Sequence, residues 1–411
     1  MADQPLNPRI CVLIPHFPSQ TAAFFWREIG ALERLGVPVI VTSTRPPEAS
    51  EICHAWSREA IARTTYLFPL TPARLGRALL GLAGGAGGWG RCLGAVHAAA
   101  GLGSGARMRL LGLVLLGGEL ARVARRRGAT HLHAHSCADA AFIVLFASLL
   151  TGIPYSLTLH GRLTGYGPGQ NIKWGLARFG ITVNQALRKD VLEGVAGLDE
   201  SRIDVVAMGV DTGRFARTTP YRAPAAGEVL RLVSCGRLHE GKGHQDVLRA
   251  MADLRRRGLG VELDLLGEGP ARGMLESLVA ELGLGGCVRL AGAVDEAAVR
   301  DHLDRAHAFV LASHDEAIGV ATMEAMAMEL PVVVARVGGV GELVRDAVEG
   351  LMVPPRDPAA LAEALARLGT DPELCERLGR AGRERVVGEF GSERSARVLA
   401  SRLGAGLGGG A

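Results

Sequence analysis

One stretch, Ser313 to Pro331 (SHDEAIGVATMEAMAMELP), constrains the fold more than any other part of the chain. The apolar run AFVLAS that leads into it reads as a buried strand. Gly319 to Met328 reads as a helix rich in Ala and Met, stopped by Pro331. A strand, a tight turn and a helix start in direct succession belong to an α/β fold with a parallel sheet. The turn carries Glu316 and the helix carries Glu324. Backbone N–H groups left open at a helix start favour an anion such as a diphosphate. The helix from Gly319 to Glu324 spans about 7.5 Å at 1.5 Å per residue, which sets the second carboxylate beyond the phosphate, near a sugar hydroxyl.

The rest of the chain repeats this alternation, and at 411 residues it exceeds one comfortable core, so two domains are expected. In the first half ICVLIP (10–15), VPVIVTST (37–44), HLHAH (131–135), TGIPYSLTLHG (151–161), GITVN and RIDVVAMGVD read as strands. Helices are expected over FFWREIGALERLG, 138–151, 171–180 and 185–195, with a further one from about Met108 to Arg127 in the Gly- and Arg-rich stretch 69–128. That last helix reads as a domain-packing element, or as a basic-hydrophobic surface resting on anionic lipid. Residues 213–227, with two prolines and no periodicity, read as the linker. The second half runs VLRLVSCGRL, helix to Arg257, VELDLLGEGP, helix 271–283, VRLAGAV, helix 295–306 and AFVLAS. PVVVARV and LMVPP follow the central stretch as strands, and helices at 358–369, 372–387 and 392–404 close the chain. The resulting domain plan is 1–212, linker 213–227, 228–388, a C-terminal helix over 389–404, and a disordered tail over 405–411.

Composition narrows the function. A net charge of +4 over this length does not describe a dedicated nucleic-acid binder, which concentrates basic residues and aromatic platforms on one face. Seven scattered cysteines without a C-x-x-C pair, and MADQPLNPR leading straight into a strand, point to a reducing, cytoplasmic setting. The longest apolar run, AAFIVLFASLLTGI, falls short of the roughly 20 residues that span a bilayer.

Polar residues that could carry chemistry collect at strand ends and helix starts. Arg237 in CGRL, with Lys242 and Gly243 in the next loop, combines two cations with glycines that let backbone approach, which suits a diphosphate. His160 in TLHGR ends a first-half strand. His131, His133 and His135 share one strand face, yet three residues in line along a strand do not converge easily on one ion. No D-x-D occurs, so the carboxylate pair that commonly holds a sugar-nucleotide metal ion is missing. GEGP at 267–270 has a glycine pair in the wrong context for a dinucleotide site, and the first loop lacks G-x-G-x-x-G.

Taken as a set, CGRL…GKGH, LLGEGP, the paired glutamates with EAMAMELPVVVARVGGVGELV, and GLMVPPRDP resemble the retaining glycosyltransferases of family four. PHFPSQTAAFFWREIGAL, HAHSC, TLHGR and MGVD resemble the branch that builds bacterial exopolysaccharides, including colanic-acid-type enzymes. The resemblance implies the α/β fold called GT-B: two Rossmann-like parallel-sheet domains facing across a cleft, with the C-terminal helix packing back on the first. It implies a hexosyltransferase that moves a hexose-type sugar, with retention, from a UDP- or GDP-linked donor to a saccharide or lipid-linked oligosaccharide acceptor. The setting would be bacterial exopolysaccharide or cell-surface glycan synthesis. The nucleotide sugar is a co-substrate, no metal or other cofactor is required, no nucleic acid is a partner, and peripheral contact with the cytoplasmic face of the inner membrane is open.

Position by position, the resemblance assigns Arg237 and Lys242 to the diphosphate and Glu316 to the donor sugar. The amides of Gly319, Val320 and Ala321 take the phosphate, Glu324 the ribose, and His160 the reacting sugar, so that His160, Glu316, Lys242 and Arg237 form the catalytic set. Ser19, Gln20, Thr21 and Arg162 border the acceptor side. Two departures stand out: Glu316-Ala317-Ile318-Gly319 where the family commonly has Glu-Gly-Phe-Gly, and Pro18-Ser19-Gln20 where it often has two glycines. A sugar-nucleotide epimerase or phosphorylase of the same fold, and a non-catalytic sugar-nucleotide-binding scaffold, are the alternatives. A scaffold would be expected to lose the site charges, which are all present here.

Overall fold

The computed structural model describes residues 8–76, 86–99 and 103–404. The expected tail at 405–411 lies outside them. The chain forms two compact units. Of the described residues, the first unit takes those up to Ile52, Trp56–Ala207 and those from Ser395 onward. The second takes Cys53–Ala55 and Met208–Arg394.

The first unit is built on strands β1 (Ile10–His16), β2 (Val39–Arg45), β3 (Thr65–Tyr66), β4 (His131–Ala134), β5 (Tyr155–Leu159), β6 (Phe179–Thr182) and β7 (Ile203–Val205). They pair in parallel, in the order β3-β2-β1-β4-β5-β6-β7. The second unit holds β8 (Leu230–Cys235), β9 (Val261–Leu266), β10 (Val288–Gly292), β11 (Ala308–Leu311), β12 (Val332–Ala335) and β13 (Gly350–Val353). These also pair in parallel, in the order β10-β9-β8-β11-β12-β13. Both sheets start in the middle, run to one edge and restart beside the first strand. Each therefore has a switch point, β1/β4 in one and β8/β11 in the other, where loops diverge and leave a crevice at the carboxyl ends of the strands. Helices cover both faces, which is why β4, β5, β11, β12 and β13 are buried along their whole length.

The helix expected over 171–180 is a correction: it spans only Gln170–Gly175, and Phe179 and Gly180 belong to β6. Buried Trp174 lies so close to the strand that a Cβ on Gly180 would stand 2.2 Å from its ring. Packing of the strand on that ring overrides the helical reading of the apolar run. The last strand of the first half is likewise shorter than expected, ending at Val205.

The basic stretch folds as the helix Ser104–Arg126, lying against the buried helix Asp139–Thr151. A Cβ on Gly117 would stand 2.6 Å from Cβ of Phe146, so the two helices approach backbone to backbone. Residues 213–227 pack on the second unit: Tyr221 donates to the His307 carbonyl at 2.7 Å and Arg217 to the Met328 carbonyl at 3.2 Å. The final helix, Ser392–Arg402, buries Ala396, Leu399 and Ala400 in the first unit's core with Ile29 and Leu32 of the helix Ala23–Arg34. Among the described residues no helix is long and apolar enough to cross a membrane.

Candidate functional site

In the second unit the site residues collect at the β8/β11 switch point. β8 ends at Cys235, and the chain passes Arg237 into a short 3-10 turn, Glu240–Lys242, before the helix His244–Arg256 begins. Gly243, at φ +68°, caps that helix, and a Cβ there would stand 1.8 Å from the Ala312 carbonyl oxygen. Only glycine lets this loop press against the end of β11. The approach delivers the Lys242 ammonium to the Glu316 carboxylate, with Nζ 2.6 Å from Oε2. Ser313 Oγ donates to the same oxygen at 3.2 Å.

The turn that bears Glu316 is held from two further sides. Its carbonyl accepts from the Gly339 N–H at 3.2 Å, and Gly338, at φ +49°, lies so near that a Cβ would stand 1.9 Å from that oxygen. His314 donates its backbone N–H to the Gly241 carbonyl at 2.8 Å and places Nε2 2.7 Å from Asp246 Oδ2 in the first turn of the neighbouring helix. These contacts tie the turns after β8 and β11 into one rigid body.

Gly319 (φ +90°) then opens the helix Val320–Ala327, whose start carries no side-chain cap. The amides of Gly319, Val320 and Ala321 stand at the positive end of that helix. Thr322 in its first turn is fully buried, and its hydroxyl has no hydrogen-bond partner among the described residues. Glu324 is buried on the same helix. Burial pushes the Cys235 thiol up to about 12, and the Glu324 charge adds to the rise, which sets that carboxylate toward the end of β8. Arg237 is exposed, and among the described residues its guanidinium has no hydrogen-bond or ion-pair partner. The GEGP loop braces it from behind: Leu238 N–H donates to the Glu268 carbonyl and Ala271 N–H to the Leu238 carbonyl, both at 2.9 Å.

In the first unit, His160 follows β5 and Ser19, Gln20 and Thr21 follow β1, at the same carboxyl edge of the sheet. Ala22 N–H closes a turn on the Ser19 carbonyl at 3.0 Å, and Thr21 is exposed. Arg162 is exposed on the loop after His160. His160 Nε2 lies 3.2 Å from His135 Nδ1, and its ring sits among Phe24, Phe25 and His135.

The three in-line histidines are spent on side chains. Ser156 Oγ lies 2.8 Å from His131 Nε2 and 2.7 Å from His133 Nδ1. Thr158 Oγ1 lies 3.0 Å from His133 Nε2, and His135 Nε2 lies 3.1 Å from Glu28 Oε2. Burial holds His131 down at about 3 and keeps His133 and His160 well below the ordinary histidine range, so these three are neutral near pH 7. Glu28, Gly338 and the His314–Asp246 pair are contributors that sequence reasoning missed. Only the paired glycines 338–339 left a local signal, as a turn after a strand.

Residues 222–385 match the family described as glycosyl transferases group 1. Over 212 residues the chain is 33% identical to glycogen synthase of Mycobacterium tuberculosis, covering 51% of this chain and 50% of that one. Over 213 residues it is 32% identical to the amylovoran biosynthesis glycosyltransferase AmsK of Erwinia amylovora, covering 50% and 52%. The chain thus spans about half the length of the curated relatives it matches. In fold it is similar to Anabaena Alr3699/HepE, solved with UDP and glucose, at a TM-score of 0.72 and 17% identity over 96% of this chain and 98% of that one. The two sheets with their helices are a GT-B fold.

Proposed function

We propose, from the premise that this chain belongs through residues 222–385 to the group 1 glycosyl transferases, family four, that it moves a hexose-type sugar with retention from a nucleoside diphosphate to a saccharide or lipid-linked acceptor. The observation that carries the reading is the meeting of Lys242, Glu316 and an uncapped helix start at the β8/β11 switch point. Relatives concerned with polysaccharide assembly, and a neighbour in fold that holds UDP and glucose, support a UDP- or GDP-linked donor. They also favour bacterial exopolysaccharide or cell-surface glycan synthesis.

The chemistry follows from charge. Departure of a nucleoside diphosphate builds negative charge on the β-phosphate, and fixed donors aimed at it lower the barrier. Lys242 spends one of its three N–H donors on Glu316 and keeps two for phosphate oxygens. Arg237, whose guanidinium has no partner among the described residues, supplies the bidentate fork. The amides of Gly319, Val320 and Ala321 complete the cradle, Glu324 accepts from the ribose, and Glu316 accepts from a hydroxyl of the donor sugar. In a same-face displacement the leaving phosphate oxygen takes the proton of the incoming hydroxyl, so no protein base is compulsory. His160 serves the reacting sugar, with Ser19, Gln20, Thr21 and Arg162 on the acceptor side. Arg107, Met108 and Arg109, exposed together, suit a peripheral contact with the cytoplasmic membrane face.

The test is a screen of nucleotide sugars for thermal stabilisation, followed by product analysis with lipid-linked oligosaccharides. Transfer with retained anomeric configuration is expected. Conversion of the donor with no acceptor present would identify an epimerase instead, and phosphate-dependent cleavage a phosphorylase. Tight binding with no turnover under any condition would identify a scaffold.

A further inference from the structure

Lys173 takes no part in the proposed reaction, yet the first unit encloses it and leaves only 1% of it exposed. Lysine is almost never buried this far unless its head group is met. Here two backbone carbonyls and a ring meet it, rather than a carboxylate. Nζ donates to the Cys137 carbonyl at 2.8 Å and to the Tyr166 carbonyl at 3.3 Å, and stands 4.4 Å from the centroid of the Phe142 ring. Burial pulls its pKa down to about 8. The ammonium and the neutral amine both keep enough N–H donors for two carbonyls, so these contacts survive in either state.

The two carbonyls belong to different loops. Cys137 lies on the loop after β4, and Tyr166 on the loop after β5; both loops leave the carboxyl edge of the sheet. Gln170, one turn before Lys173, reaches the same pair. Its side-chain nitrogen lies 3.2 Å from the Cys137 carbonyl, 3.1 Å from that of Tyr166 and 2.9 Å from that of Gly167. The helix that carries both residues, Gln170–Gly175, is itself fixed to the sheet. Tyr155 of β5 donates its phenol to the Lys173 carbonyl at 2.6 Å, and Trp174 packs on Gly180 of β6.

The loop after β5 is thereby held at both ends. His160 starts it against His135, and Lys173 and Gln170 close it at Tyr166 and Gly167. Tyr166 folds back over the start, since a Cβ on Gly161 would stand 3.4 Å from its hydroxyl. Exposed Arg162 stands between the two anchors. We propose that Lys173, with Gln170, is a positioning residue that pins the loop after β5 to the loop after β4 and so sets where Arg162 meets the acceptor. The acceptor role of Arg162 rests on the glycosyl-transfer reading; the pinning does not.

The test uses Lys173→Met, which keeps the length of the side chain and removes its donors, in the full-length protein. Hydrogen exchange read by mass spectrometry is expected to quicken at least tenfold over residues 135–138 and 160–167, with the second unit as internal reference. Steady-state kinetics should show the acceptor KM raised about tenfold at unchanged donor KM. Unchanged exchange over both loops overturns the pinning. A fall in kcat with both KM values unchanged means only lost folded protein, and overturns the positioning role. Gln170→Leu keeps the buried lysine and covers the case in which the first variant does not fold. It is expected to raise loop exchange and acceptor KM about threefold, and wild-type values of both overturn the proposal. If exchange behaves as expected while the wild type turns over no nucleotide sugar, the pinned loops stand and the transfer reading falls.

Discussion

Lys242 Nζ lies 2.6 Å from Glu316 Oε2, although 74 residues separate the two in the chain. The pair is partly open to solvent, so its worth to stability is small, about 0–1 kcal/mol. Its value lies in placement: it fixes a cation beside the N-terminus of the helix Val320–Ala327.

Lys242→Ala is therefore expected to lower kcat/KM for the nucleotide sugar by about 100- to 1,000-fold, the scale of losing one preorganised donor at a developing anion. The melting temperature should stay within a few degrees of the wild type. Steady-state kinetics beside a thermal melt separates the two effects. Release of nucleoside diphosphate at the wild-type rate would remove Lys242 from the site.

Gly338→Ala should act on the same site from behind. The added Cβ would stand 1.9 Å from the Glu316 carbonyl, at a backbone φ of +49°. A left-handed backbone and a clash with fixed backbone together cost about 1–3 kcal/mol. The Glu316 turn must move to relieve them. Chemical denaturation should show the stability loss, and donor affinity measured by calorimetry should fall in parallel. Wild-type affinity in the variant would mean that the turn does not depend on its glycine support.

Protein cations and a helix end meet the diphosphate in this proposal, so chelation has a definite expectation. EDTA treatment followed by gel filtration should leave turnover within about twofold of the untreated protein, since Arg237 and Lys242 supply the charge that a bridging ion would otherwise contribute. A loss of activity restored by one divalent cation would overturn that division of labour.

Acidification should weaken the first unit in a defined window. His131 is held at about 3 in the folded chain, against an ordinary value of 6.5, by burial and by the charge of Arg178. Above pH 6.5 both folded and unfolded forms are neutral there, and nothing changes. Between 6.5 and about 3 only the unfolded chain binds the proton, so stability falls by about 1.4 kcal/mol per pH unit for this one group. His133 and His160 are shifted in the same direction and steepen the fall. Urea midpoints between pH 7.5 and 4.5 read the slope, and His131→Asn should flatten it. An unchanged slope in that variant would assign the acid sensitivity elsewhere.

Most elements of both sheets were legible in the chain because the signals are local. Continuous apolar runs marked strands buried on both faces, and Pro331 marked the end of the helix that carries Glu324. The short helix Gln170–Gly175 was overextended, because contact between Trp174 and Gly180 is a packing fact rather than a periodic one. The three in-line histidines could be placed on one strand face, but not assigned their partners.

By itself, then, the sequence determined the alternation of strand and helix, the two-sheet plan, and the residue types able to hold a diphosphate at strand ends. These depend on neighbours a few positions away. Tertiary structure alone decided that β8 lies beside β11, which brings Lys242 to Glu316. It alone decided that Ser395 of the last helix and His135 at the end of β4 meet on Glu28. The reason is physical: parallel strands pair only after long crossovers, and their order is set by which apolar faces bury together. No local pattern in the chain records that order.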